Sequence, residues 1–187
     1  MRITADAASR LLAAGVRSGK LARMTKTAQT CIGPFEEADR AALVALLKAY
    51  EAGIGISLDF QSFDAELSAL PGKYVPPDGA LLIARNEVGD LLGTVALRGL
   101  DRAQDICEMK RLYVAPAGRG QGLGRKLAEA VIAHARSLGY RSMRLDTLPS
   151  MQDAQRLYEL LGFREIANYN GNPIAGTRFL EKDLVAP

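Results

Sequence analysis

The chain has 187 residues, of which 48% are apolar and 24% charged, a balance typical of one globular domain with an appendage. The net charge of +3 is unevenly placed: residues 1–30 carry six bases and one acid, and the remainder carries eighteen bases and twenty acids. This partition argues against a nucleic-acid-binding face across the whole domain. One histidine argues against a His-rich metal site, and two cysteines are typical of a reducing compartment such as the cytoplasm.

Residues 1–27 are a basic leader ahead of a single domain predicted for residues 28–187. The apolar stretch at 11–14 is too short for a secretory signal, and no apolar run reaches the ~18 residues of a membrane span. The composition fits a mitochondrial presequence and equally a translated upstream sequence, because Met24 offers an internal start. We therefore expect the leader to be flexible or a non-native start.

The first half of the domain predicts two helices among short strands. Glu36 places negative charge where a helix begins, and Leu43, Leu47 and Tyr50 form one helical stripe that ends at Gly53. Runs of apolar residues bounded by turn residues predict strands. The predicted strands are residues 29–33, 80–84, 91–97 and 106–114, with a second short helix at 64–70.

The second half alternates helix and strand. Leu123, Leu127, Val131 and Leu138 lie on one helical face that ends at Gly139. The predicted elements that follow are a strand at 141–147, a helix at 150–161 capped by Ser150, and strands at 163–169 and 177–184. The strands at 106–114 and 141–147, with the helix between them, are expected to form one right-handed parallel βαβ unit in an otherwise antiparallel sheet.

Three alternate glycines follow the strand at 106–114, at positions 120, 122 and 124. Such spacing turns backbone N–H groups toward one point at a helix N-terminus, which favours phosphate or pyrophosphate. The loop is neither the dinucleotide fingerprint, since Arg125 stands where that motif needs glycine, nor the nucleotide-triphosphatase loop, since no Gly-Lys-Ser/Thr follows. Spacing alone leaves an anion site and an ordinary flexible turn equally open.

The surrounding sequence resembles the GNAT superfamily of N-acetyltransferases. EMKRLYVAP at 108–116 with RGQGLG at 119–124 is similar to the acetyl-CoA signature of that family, as is AQRLY at 154–158 followed by Gly162 and Phe163. The resemblance covers residues 28–185 and implies the acyl-CoA N-acyltransferase fold: a mixed α/β sheet, mostly antiparallel, with helices on both faces. It also implies acetyl-CoA as co-substrate and no metal.

By this resemblance, the amides of the glycine loop bind the pyrophosphate and the strand at 106–114 binds the pantetheine arm. The residues so implied are Leu112, Tyr113, Val114, Arg119, Gly120, Gln121, Gly122, Leu123, Gly124 and Arg125. Many relatives have an asparagine where this chain has Met151, so Ser150 is the expected replacement for an amide contact.

Acetyl transfer needs a neutral amine, and less than about 0.1% of an alkyl amine is neutral at pH 7. Glu108 is the candidate base, on the expectation that it shares a strand face with Leu112 and Val114; a structural ion pair is the other interpretation. Asp146, which could instead cap a turn, is the second candidate. The resemblance implies that Tyr158 protonates the leaving thiolate.

The acceptor side is less defined by sequence. The resemblance places Phe60, Phe63, Tyr169 and Asn172 beside the acceptor, although aromatic residues there could equally be core. Strand alternation predicts that Lys110 and Arg111 point to opposite faces.

These observations favour an N-acetyltransferase that passes acetyl directly to a primary amine. No acidic run would attract a basic peptide, which favours a small molecule or amino acid as acceptor; no nucleic-acid or membrane partner is expected, and a homodimer is left open. A ping-pong route through Cys107 has little support, since no histidine partner is evident. The alternatives are a non-catalytic acyl-CoA sensor and an adaptor that acts through its basic leader.

Overall fold

The computed structural model describes residues 30–58 and 62–185; the basic leader and Phe60 lie outside this range. Seven strands form one sheet in the order β1-β2-β3-β4-β5-β7-β6. In chain order the elements are β1 (Cys31–Pro34), α1 (Arg40–Ile54), α2 (Phe63–Ala69), β2 (Ala80–Arg85), β3 (Leu91–Asp101), β4 (Ile106–Val114), α3 (Leu123–Ser137), β5 (Ser142–Thr147), α4 (Gln152–Leu160), β6 (Arg164–Ile166) and β7 (Arg178–Asp183).

The sheet is mixed, as the sequence predicts. Among the described strands only β4 and β5 run parallel, joined by the crossover helix α3, and the other neighbours pair antiparallel. The β2–β3 hairpin is held by Asn86, whose side-chain oxygen accepts from the backbone N–H groups of Val88 and Asp90. The predicted fold class is confirmed.

Apolar side chains cover both faces of the sheet. Leu43 and Leu47 of α1 pack with α2 against one face. Leu127 and Val131 of α3 pack against the other, together with α4. Because each helix buries a single stripe, the sheet becomes the middle layer of a three-layer structure. Within residues 30–58 and 62–185, no helix has the length and apolar character that crossing a membrane requires.

A β-bulge interrupts β4 halfway along. Thr94 of β3 pairs with Tyr113, and Ala96 pairs with Lys110, so Val95 stands opposite two residues of β4. Arg111, the first of these two, has a φ of 56°, in the left-handed region. The bulge reverses the alternation of the side chains that follow it.

The reversal overturns two expectations. Leu112 and Val114 pack on the α3 face, whereas Glu108 lies on the α1 face, so the prediction that the three share a face is wrong. The prediction that Lys110 and Arg111 point to opposite faces is also wrong: the Arg111 side chain contacts α2, on the side that Lys110 also faces. Both errors arise because simple alternation assumes an unbroken strand.

Strands β4 and β5 separate soon after they meet. Their pairing runs from Ile106–Ser142 to Glu108–Arg144 and then stops. From Met109 onward, the side of β4 that faces β5 has no strand partner, so its backbone N–H and C=O groups are available to a ligand. This divergence opens the cleft described below.

Candidate active site

The main cleft lies between the diverging ends of β4 and β5 and has a volume of about 560 Å³. Its walls are the second half of β4, the glycine loop, the end of β5 and the inner side of α4, with the C-terminal end of α1 closing one side. Leu112, Tyr113 and Val114, to which the family resemblance assigns cofactor binding, line this cleft. The cleft is long and open enough for an extended ligand that lies along a strand.

The glycine loop is a cradle of backbone donors. Gly120 and Gly122 have φ values of 75° and 68°, and Gly122 is the N-cap of α3. Within the described chain, the backbone N–H groups of residues 120–125 donate to no protein acceptor, and that of Lys126 is the first to bond within the helix. Six unpaired N–H groups at a helix N-terminus suit the pyrophosphate of a coenzyme A ester.

Replacing Gly122 by alanine is expected to weaken acetyl-CoA binding roughly 5- to 30-fold, because a Cβ at this left-handed φ costs about 1–2 kcal/mol. No atom of the described residues lies within 4 Å of the Cβ that alanine would add, so the effect is conformational rather than a clash. The measurement is the KM for acetyl-CoA. Gly89→Ala, also at positive φ but in the β2–β3 turn, should lower stability and leave this KM unchanged.

The charged residues of the loop stand at the mouth of the cleft. Arg119 lines it and donates through Nε to the Val114 carbonyl at 3.3 Å. Arg125 also lines it, with its guanidinium 2.7 Å from Glu129. The Gln121 side chain instead turns to the Ala117 carbonyl at 3.3 Å and does not line the cleft.

Ser150 does not cap α4, which corrects the sequence prediction. The N-cap is Met151, because a turn that joins the Met151 N–H to the Leu148 carbonyl delays the helix by one residue. Ser150 is exposed and absent from the cleft wall, where Met151 stands in its place. The Met151 thioether therefore lines the cleft where many relatives have an asparagine side chain.

Four polar side chains meet at the inner end of the cleft. Asp146, at the end of β5, accepts from the Asn172 side-chain amide at 2.7 Å and lies 3.9 Å from Lys110 Nζ. Tyr158 of α4 lines the same end and packs edge-on against Phe163. Burial raises the pKa of Tyr158 above its ordinary value, so its hydroxyl keeps its proton at neutral pH.

Glu108 is fully buried and lines neither the main cleft nor the cavity next to it. One carboxylate oxygen accepts from Arg98 Nε at 2.6 Å, and the other accepts from the Tyr169 hydroxyl at 2.7 Å. Lys110 Nζ lies 3.7 Å away. Burial is also the first cause of the raised pKa of Tyr169, and the nearby carboxylate adds to it.

Of the other residues predicted beside the acceptor, Asn172 lines the cleft, whereas Phe63 and Tyr169 do not. Phe63 is core: it is 1% exposed, and the Arg111 guanidinium lies over its ring, so its predicted place in a substrate pocket is wrong. Tyr169 reaches the site only through Glu108, and its ring packs against Phe179. Asn172 lines the main cleft and the cavity next to it.

A second cavity of about 380 Å³ adjoins the inner end of the cleft. The two spaces share Lys110 and Asn172, so these side chains form the partition between them. The second cavity is polar and is otherwise lined by Glu66, Lys73, Arg98, Asn170, Gly171 and Pro173. Sequence reasoning missed Lys73 and Arg98; a cation that directly follows the apolar run of β3 was the available signal for Arg98.

Cys107 packs on the α3 face of the sheet and lines neither the cleft nor the second cavity. It is fully buried, its thiol contacts the Ser142 carbonyl at 3.4 Å, and burial raises its pKa to about 12. A thiol in this state is a poor nucleophile. Among residues 30–58 and 62–185, no three His, Cys, Asp or Glu side chains are grouped to hold a metal ion.

Two features together are typical of acyl-CoA-dependent acyltransferases. One is the cleft between the diverging parallel strands β4 and β5, and the other is the group of backbone amides in the glycine loop beside it. The chain belongs to the Acetyltransferase (GNAT) family, whose model matches residues 44–163. It is therefore an acyltransferase with acetyl-CoA as co-substrate.

The chain is 41% identical to an uncharacterized N-acetyltransferase of Schizosaccharomyces pombe, over 74% of this chain and 85% of the relative. A GNAT-family acetyltransferase structure from Staphylococcus aureus superposes with a TM-score of 0.72, at 23% identity, over 83% of this chain and 99% of that one. A Salmonella typhimurium acetyltransferase structure that contains acetyl-CoA superposes with a TM-score of 0.60, at 24% identity, over 85% and 98% of the two chains.

Proposed function

We propose that the protein transfers acetyl from acetyl-CoA to the primary amine of a small molecule or amino acid, by direct attack. The observation that carries this proposal is that the two spaces adjoin: the main cleft and the polar second cavity share Lys110 and Asn172 as lining residues. A pyrophosphate held at residues 120–125 would leave the acyl end of the coenzyme free to extend toward this partition.

Acetyl-CoA supplies the acetyl group as a thioester; attack of the neutral amine forms the C–N bond, breaks the C–S bond and releases a thiolate and a proton. The chain's own groups must bind the ester, polarise its carbonyl, remove the proton and protonate the sulfur. A backbone N–H of β4 near Leu112 is the donor that we propose polarises the carbonyl, since the pairing of β4 with β5 ends at Glu108.

Asp146 is the group that we propose takes the proton. Its carboxylate lines the cleft beside the partition and keeps one oxygen away from the Asn172 hydrogen bond. Glu108, the first sequence candidate, is enclosed by Arg98 and Tyr169, so we propose a positioning role for it: it holds Lys110 at the partition.

Tyr158 is proposed to donate a hydrogen bond and then a proton to the leaving sulfur. Tyr158→Phe should lower kcat about 100-fold, because the thiolate would then leave without a proton donor. The acetyl-CoA dissociation constant should stay unchanged, since the ring and its packing on Phe163 remain. Stopped-flow detection of the thiol and calorimetric binding separate the two effects. A tenfold weaker binding with normal kcat would contradict this role.

The experiment that tests the proposed function is thiol release from acetyl-CoA with a panel of amines, with the acetylated amine identified by mass spectrometry. One acetylated amine for each thiol released would support the proposed acetyltransferase activity. Tight acetyl-CoA binding without acetylation of any amine would instead support the sensor.

A further inference from the structure

We infer that the second cavity binds a carboxylate of the acceptor, so that the substrate is an amine that also carries an acid group, as amino acids do, rather than a polyamine. This inference rests on the proposed function, because the cavity receives the acceptor only if acetyl passes to an amine.

The charge of the cavity is the first argument. Within the described chain, three cations line it, Lys73, Arg98 and Lys110, and a single carboxylate, Glu66. A polyamine would bring several more positive charges into this space, whereas a carboxylate would bring a negative one.

The carboxylates near the cavity are already engaged by arginines. Glu66 accepts from Arg111 with both oxygens, at 2.6 and 3.1 Å. Although burial raises the pKa of Glu66, Arg111 holds it below its ordinary value. Glu108 accepts from Arg98 with one oxygen, at 2.6 Å. Among the described residues, four cations (Lys73, Arg98, Lys110 and Arg111) lie beside three acids (Glu66, Glu108 and Asp146), so the surplus is one positive charge, which the two lysines share.

Neither lysine donates a close hydrogen bond to the described part of the chain. Lys73 Nζ is 3.4 Å from Glu66, and Lys110 Nζ is 3.7 Å from Glu108 and 3.9 Å from Asp146. The Lys110 side chain is only 8% exposed and lines the cavity. A buried donor without a close acceptor is the feature that a ligand oxygen would complete.

The position of the lysines fits an acceptor with both groups. Lys110 stands at the partition where the amine would meet the thioester, and Lys73, which is 42% exposed, lines the second cavity but not the main cleft. A carboxylate between them would turn the amine of the same molecule toward Asp146. The carboxylate would therefore orient the nucleophile as well as bind.

The test compares each of three amino acids, glycine, alanine and methionine, with its own carboxamide, and includes spermidine. The carboxamide has nearly the same shape, and its amine has the lower pKa, so amine reactivity alone would favour it at neutral pH. We expect kcat/KM for the acid to exceed that for the carboxamide by about 10- to 100-fold, the value of a charge-assisted hydrogen bond.

Lys73→Gln should raise the KM for the acid about tenfold and leave that for the carboxamide unchanged. The KM for acetyl-CoA should also stay unchanged, because Lys73 does not line the main cleft. Lys48→Gln, on the exposed side of α1, is the matched control and should alter none of these values. Lys73→Glu should reverse the preference toward the carboxamide.

The outcomes separate the two levels of proposal. If amines are acetylated but acid and carboxamide give equal kcat/KM, or if spermidine is the best acceptor, the inference is overturned and the proposed function stands. If Lys73→Gln affects both members of a pair equally, the inference is overturned as well. If no amine is acetylated, the proposed function fails and the inference fails with it.

Discussion

Replacing Asp146 by asparagine is expected to lower kcat/KM for the amine about 10²- to 10⁴-fold at pH 7, the contribution of a positioned general base. Asparagine keeps an oxygen that can accept the Asn172 hydrogen bond, so the geometry at the end of β5 should survive. Acetyl-CoA binding should not change. Steady-state kinetics with both substrates varied will separate the effect on kcat/KM for the amine from any effect on acetyl-CoA binding.

The pH dependence distinguishes loss of a base from structural damage. Without a base, the variant depends on amine that is already neutral, so its rate should rise about tenfold per pH unit until the amine pKa is reached. The wild-type rate should be flatter over the same range. Asp90→Asn, an exposed substitution in the β2–β3 turn, is the control and should behave as wild type.

The same experiment tests the two carboxylates against each other. Glu108→Gln should lower the rate less than Asp146→Asn and should keep the wild-type pH profile, since Glu108 lines neither the cleft nor the second cavity. If Glu108→Gln shows the tenfold-per-unit profile and Asp146→Asn keeps its activity, Glu108 is the base and the role proposed for Asp146 is wrong.

Replacing Glu108 by alanine is expected to lower the free energy of unfolding by about 3–5 kcal/mol, the usual cost of removing one partner of a buried ion pair. The reason is that Arg98 would lose its carboxylate, the Tyr169 hydroxyl its acceptor, and Lys110 its neighbouring charge. The melting temperature should fall by roughly 6–20 °C for a domain of this size. Chemical denaturation and calorimetry measure the two quantities.

Glu181→Ala is the matched control for this stability effect. Glu181 accepts from Arg144 at 2.6 Å, but both side chains are about 30% exposed, so the loss should be no more than about 1 kcal/mol. Equal losses for the two variants would contradict the account, because they would mean that the buried cluster adds nothing beyond an ordinary surface pair.

Local patterns in the sequence were sufficient to predict the fold and the backbone donors of the glycine loop. The order of strands and helices follows from apolar periodicity and turn residues, and it places the glycine loop between β4 and α3. The alternate glycines allow the positive φ values found at Gly120 and Gly122. These features depend on neighbours in the chain, which is why sequence reasoning reached them.

The faces of β4 could not be predicted in the same way. The bulge at Arg111 is stabilised from outside the strand, by its ion pair with Glu66 of α2 and by the Phe63 ring beneath its guanidinium. No glycine marks the position, so alternation was continued through it and Glu108 was placed on the wrong face. A tertiary contact overrides the local pattern here.

The second cavity was missed for a related reason. Its cations come from three separate segments: Lys73 from the loop after α2, Arg98 from β3 and Lys110 from β4. Each one alone is an ordinary charged residue, and only the sheet pairing and the β6–β7 loop with Asn172 bring them together. A charge cluster of this kind can be recognised only once the three-dimensional structure is known.

The most direct test of the central claim is a single-turnover experiment with acetyl-labelled coenzyme and an accepted amine. We expect label to appear on the amine at the same rate as thiol is released, while the protein stays unlabelled, because Cys107 is buried and lines neither the cleft nor the second cavity. Label that remains on the coenzyme with every amine, or that accumulates on the protein before it reaches the amine, would contradict it.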